Sequence, residues 1–180
     1  MMSCLRNSRA KHPPFSSLQS NKQRTFRRKQ WPPPRVDCMP IDEQERDRRR
    51  ALLRAHLDAE NAGDGDAVMA TFAADAVMVY NSMPFASHEA IRSAHEYIGF
   101  ARGSGAFVSA RNEIDRESFT DTDIVIEGRM CGVHERDFMG FAPSGRTVEL
   151  PFVAFYQFDA AGKLAHERVI MNLGPLRATG

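Results

Sequence analysis

The chain has 180 residues, 42% hydrophobic and 26% charged, with 24 basic against 23 acidic side chains, which is the make-up of one globular domain. No run reaches the roughly 18 to 20 apolar residues of a bilayer crossing, and no apolar stretch near the start could serve as a signal-peptide core. Cys4, Cys38 and Cys131 are far apart and form no CxxC pair. A disulfide framework and a cysteine-based zinc site are thereby excluded, and a reducing, cytoplasmic compartment is expected.

The balanced total hides an asymmetry. Met1–Val36 carry nine basic residues and no acidic one, which leaves 15 basic against 23 acidic residues for the remainder. Residues 1–40 combine Ser, Asn, Gln, Arg and Pro, including Pro32-Pro33-Pro34, with few aliphatics to offset the entropy of ordering them, and a disordered basic tail is expected. Arg24, Arg27, Arg28 and Lys29 beside Phe26 and Trp31 could attract an anionic surface or nucleic acid. An organelle transit segment and translation from Met39 are the open alternatives. Beyond that charge no nucleic-acid partner is expected.

A domain follows over residues 41–176. Asp42 and Glu45 have capping-box spacing, and Leu53 and Leu57 with their neighbouring alanines repeat at helical period, so a helix is predicted from Asp42 to Ala62, stopped by Gly63-Asp64-Gly65. A short helix capped by Asp66 should cover Ala67–Ala73, a strand Ala76–Tyr80, and, after the break at Pro84, a helix capped by Ser87 should bury Ile91, Ala94 and Ile98. Past Arg102 the period becomes two, and strands are predicted at 107–118, 123–135, 146–158 and 163–172, joined by turns short enough for antiparallel hairpins. The pattern is α+β, with helices packed on one face of a mainly antiparallel sheet.

Several spacings are shared with a known family. Gly132-x-His134, Phe138-x-Gly140, Pro143-Ser144-Gly145-Arg146, the aromatic segment to Phe158, and Asp159-x-x-Gly162-Lys163 occur in this order, and His56–Phe72 matches the first two helices. In these features the chain resembles the SnoaL-like polyketide cyclases and ester cyclases of the NTF2-like superfamily. The resemblance implies a cone, in which three helices close a strongly curved sheet around an apolar cavity. It also implies a cofactor-free cyclase or isomerase that acts on an apolar carbonyl or polyketide-like compound. A catalytically silent module for a hydrophobic ligand or a protein remains the alternative. Gly128 and Gly132 would allow the sheet to bend. Val153 and Phe155, apolar on the outer face, suggest cover by a second copy in a homodimer.

In the family, an Asp ten residues after the Gly of the Asp-x-x-Gly-Lys turn acts as general acid and base. Here that position is Asn172, which cannot abstract a proton. Strict alternation puts Leu164, His166, Arg168, Ile170 and Asn172 on one face and turns Glu167 away; the phase of the family's Asp implies that this is the cavity face, with His166 as the candidate replacement base. His134, at the family's Gly-x-His, is a second candidate. Tyr80, Tyr97 and Tyr156 are candidate donors to an oxyanion, and Phe152 and Arg168 complete the expected lining. His56 with Glu60, and His88 with His95, could be metal pairs, but neither has HExxH spacing or an evident third ligand. No metal and no cofactor are therefore expected, and no phosphate-binding loop or nucleophile elbow occurs.

Overall fold

The computed structural model describes residues 42–101 and 105–177. The basic segment 1–40 lies outside the described residues. Helix α1 spans Glu43–Ala62, with the Asp42 side chain accepting from the Glu45 amide and Gly63 closing it at φ 66°. Helix α2 is Gly65–Thr71. Its cap is Asp64, which accepts from the Ala67 amide, so it starts and ends two residues earlier than predicted. The chain then passes directly into strand β1, Phe72–Tyr80, and a three-residue strand β2, Met83–Phe85, turns back along it despite Pro84. An edge strand tolerates the missing amide of proline. Ser87 caps helix α3, His88–Ile98, whose Ile91, Ala94 and Ile98 are buried as expected.

The four predicted strands form as β3 (Phe107–Phe119), β4 (Asp123–His134), β5 (Thr147–Phe158) and β6 (Leu164–Met171). A 3-10 turn, Gly174–Arg177, follows them. The sheet order is β2-β1-β6-β5-β4-β3. All neighbours are antiparallel except β1 and β6, which pair in parallel and bring the middle of the chain beside its end. The sheet is therefore mixed. Asn81, at φ 53°, secures this long-range pairing, because its amide donates to the Val169 carbonyl and its side chain accepts from the Met171 amide.

Four register shifts bend the sheet: two in β3, between Val108 and Arg111 and between Ile114 and Arg116, one in β1 between Phe72 and Val77, and one where β5 meets β6. At Gly128 the β3 backbone comes so close that a Cβ would lie 2.4 Å from the Glu113 carbonyl oxygen, so a side chain there would push the second bulge away. The helices cover the concave face, where Leu53, Val68 and Ile91 pack against Ile124, Ile126, Leu150 and Leu164, each almost fully buried. Burial of this face, at about 25 cal/mol per Å² of apolar surface, is the main stabilising term. On the convex face Val125, Val153, Phe155 and Arg168 are half-buried and Ile170 is 46% exposed.

Candidate functional site

Beneath the helices lies a narrow cavity lined mostly by apolar side chains, among them Met78, Ile98, Phe100, Phe152, Val169 and Met171, with Tyr80 and Tyr156. Its free volume is about 20 Å³. That is room for roughly one water molecule or ion. Glu60, His95, Asn112 and Glu167 stand at its polar end.

Four elements place these groups together with His56. His56 and Glu60 are one turn apart on the buried side of α1, His95 comes from the last turn of α3, and Glu167 from β6. His56 is fully buried, Glu60 4% exposed, and His95 and Glu167 3% exposed. The four donor atoms lie within 4.8 Å of one another.

The hydrogen bonds fix which nitrogen of each imidazole faces inward. The Thr71 hydroxyl gives its single proton to the Val68 carbonyl, so it accepts from His56 Nδ1 at 2.9 Å. His95 Nδ1 donates to the Ile91 carbonyl at 2.8 Å. In both rings the inward atom is therefore Nε2, a lone-pair acceptor when the ring is neutral. His95 Nε2 sits 3.2 Å from Glu60 Oε1, whose other oxygen accepts from Asn112 Nδ2 at 2.8 Å. His56 Nε2 is 3.7 Å from Glu60 Oε1 and 3.9 Å from Glu167 Oε2, too far for hydrogen bonds, and neither His56 Nε2 nor Glu167 Oε2 has a hydrogen-bond partner.

Acceptors facing acceptors require protons or a cation between them. Burial opposes a charge on every member. It pushes His56 down to about 4. Burial acts in the same sense on His95, but the bond to Glu60 and the charge of that carboxylate outweigh it and lift the ring to about 9. Glu60 resists desolvation because His56, His95 and Asn112 favour its anion, and it stays below the usual carboxylate range. Glu167 is driven up by burial. Without a bound cation, the cluster at neutral pH is a Glu60–His95 ion pair, a neutral His56 and a protonated Glu167. Tyr80 and Tyr156, also raised by burial, remain neutral donors.

The positions expected from the sequence divide into two groups. Tyr80, Phe152 and Tyr156 line the cavity. Tyr80 donates to the Met171 sulfur, and Tyr156 meets the His56 ring edge-on at 6.0 Å. The face expected for β6 is corrected from His166 onward. Leu164 points inward, but Ala165 is an extra residue between the pairs Phe158–Leu164 and Gln157–His166. This bulge reverses the alternation, so Glu167, Val169 and Met171 face the cavity while His166, Arg168 and Ile170 face outward. Asn172 lies beyond the strand, exposed, with its side chain accepting from the Gly174 amide. His134 is buried against Phe107, ring centroids 5.1 Å apart, and is absent from the cavity wall. Tyr97 stacks on Phe138, and its hydroxyl accepts from the Met139 amide outside the cavity. His88 turns from His95 to donate to the Ala73 carbonyl.

The His56–Glu60 spacing is legible in the sequence, and the fold brings His95 from α3 and Glu167 from β6 to it. An open groove of about 300 Å³, lined by Asn61, Gly99, Phe107, Ser109 and Arg136 among others, is larger but holds no comparable cluster among the described residues.

A family profile described as a SnoaL-like domain matches residues 53–167. Comparison with curated proteins finds no significant match. Among solved structures, a candidate SnoaL-like polyketide cyclase from Jannaschia sp. CCS1 superposes with a TM-score of 0.62 at 18% identity, covering 81% of this chain and all of that one (100%). A candidate polyketide cyclase from Xanthomonas campestris pv. campestris gives 0.58 at 24% identity, over 72% of this chain and 93% of that one. AclR, a candidate hydroxylase from Streptomyces galilaeus, gives 0.59 at 20% identity, over 71% and 77%. At such identities these likenesses establish the fold.

Proposed function

Because the chain belongs to the SnoaL-like family, whose domain profile spans more than half of it, we propose that it is a small-molecule enzyme moving a proton next to the carbonyl of an apolar, polyketide-like compound. The observation that carries this reading is the set of ionisable side chains converging, with polar atoms unpaired, at one end of an otherwise apolar cavity. A structural network would satisfy those atoms, whereas a reacting group needs them free. Glu167 is the group that exchanges the proton. Tyr80 and Tyr156 donate to the carbonyl oxygen as it gains negative charge, and the Glu60–His95 pair holds the field of the site. The apolar walls keep water from the enol.

The test follows exchange at the α-carbon of cyclic 1,3-dicarbonyl probes in deuterated water by NMR. The protein is expected to accelerate the loss of the α-proton signal, and Tyr156→Phe to lower the rate roughly 10-fold to 100-fold. If every probe binds but none exchanges above the buffer rate, the domain is a ligand-binding module.

In this reading the chain pairs with a second copy through the convex face around Val153 and Phe155. Light scattering should then give twice the chain mass, and Phe155→Glu should give the monomer by burying an unpaired charge. A monomeric unaltered chain rejects this interface.

A further inference from the structure

We propose that His56, Glu60, His95 and Glu167 bind one first-row divalent metal ion, of the Zn²⁺, Mn²⁺ or Fe²⁺ type, through two imidazole nitrogens and two carboxylates. The inference goes beyond the proposed turnover. A carboxylate bound to an ion cannot also exchange a proton, so the turnover above belongs to the metal-free chain; occupancy is measured as binding and stands or fails independently of the exchange reaction.

The first argument is the direction of the lone pairs. Both rings spend Nδ1–H on fixed acceptors, the Thr71 hydroxyl and the Ile91 carbonyl, and both present Nε2 to the same point. This is the arrangement that metal-binding histidines take from their outer partners, which lock the tautomer and aim the ring. Glu60 is oriented likewise, one oxygen being held by Asn112 and the other turned inward, 3.2 Å from His95 Nε2.

Distance is the second argument. Donors bound to Zn²⁺ at about 2.0 to 2.2 Å stand about 3.0 to 3.6 Å apart along the edges of a tetrahedral or octahedral shell. The separations here are 3.2, 3.7 and 3.9 Å for the three imidazole–carboxylate contacts. These are edges of a coordination polyhedron slightly expanded around an unfilled centre. The two longer ones are too long for hydrogen bonds.

The third argument is the unpaired atoms themselves. His56 Nε2 and Glu167 Oε2 are buried, aimed at the common point, and have no hydrogen-bond partner. One cation would satisfy both. Two carboxylates also neutralise a divalent charge, and nitrogen and oxygen donors together suit zinc, manganese and iron better than the all-oxygen shell of calcium. The cavity has room for such an ion, and its rigid elements hold the donors near their final positions.

The test uses the full chain stripped with a chelator and titrated calorimetrically with Zn²⁺, and in parallel with Co²⁺ followed by visible absorption. One ion per chain is expected, with Co²⁺ bands typical of nitrogen and oxygen donors in a four- or five-coordinate shell. His56→Gln, Glu60→Gln and His95→Gln should each weaken binding by ~100-fold or more. Thr71→Val, which leaves all four ligands in place but frees the His56 ring, should weaken it by ~10- to 100-fold. His88→Gln should bind as the unaltered chain does. Circular dichroism shows which variants are folded. Should a ligand variant not fold, the Co²⁺ spectrum of the unaltered chain and the Thr71→Val affinity decide. The proposal is overturned if the stripped chain takes up no stoichiometric ion, or if binding survives both histidine replacements and belongs to residues elsewhere.

Discussion

Glu167→Gln should lower α-carbon exchange by about 100- to 1000-fold while the chain remains folded. The substitution keeps the side chain's size, so the packing of β6 between β1 and β5 is undisturbed. It removes the only property the reaction needs, since an amide neither gives up nor takes a proton near neutral pH. Stability should change by no more than about 1 kcal/mol, the ordinary net value of one hydrogen bond. The new amide nitrogen would replace an oxygen that lies 3.9 Å from the lone pair of His56, and a small rotation lets it donate there. The loss should appear in kcat with KM little changed, because the missing interaction belongs to the transition state. Exchange at the unaltered rate would move the site off β6.

Unfolding by urea in chelator-treated buffer provides the second large effect. Glu60→Leu should destabilise the domain by about 3 to 5 kcal/mol, the cost of leaving a buried partner charge uncompensated. His95 would lose the carboxylate that keeps it charged, and Asn112 would lose its acceptor. Replacing the whole cluster at once, with His56→Leu, Glu60→Met, His95→Leu and Glu167→Met, should instead stabilise the domain by about 1 to 4 kcal/mol, since no buried charge would then remain there and the half-buried Asn112 amide alone loses its acceptor. The opposite signs are the point of the experiment. Equal destabilisation by both would show that the cluster serves the fold. A stable but inactive quadruple variant would show that it is retained for chemistry at the expense of stability.

The helix caps at Asp42 and Ser87, the buried stripe of α3 and all four C-terminal strands could be read from the sequence because they are local: a period of 3.6 or of two, a capping side chain, a turn. The parallel pairing of β1 with β6 depends on residues some 90 positions apart in the chain, and no short-range pattern reports it. The His56–Glu60 pair shows no third ligand in the sequence, because periodicity identifies a face without saying whether a second polar group awaits it across the core. The misplacement of His166 has a narrower cause. A bulge adds one residue and inverts every later side chain, and Ala165 bears no mark of it, being neither glycine nor proline. Alternation without the bulge puts His166 in the cavity, whereas the observed register puts Glu167 there.

The narrowness of the cavity has consequences for how any ligand is recognised. A space for one water cannot admit a ring compound, so binding must draw on molecules whose wall has already yielded, and the observed affinity is the intrinsic one multiplied by the fraction open. Met78 and Met171 on that wall are suited to yielding, because an unbranched thioether changes rotamer at little cost. Selection among substrates then depends less on the closed shape than on how cheaply these two side chains can be displaced. Compounds of quite different outline could share one site, each admitted at its own rate.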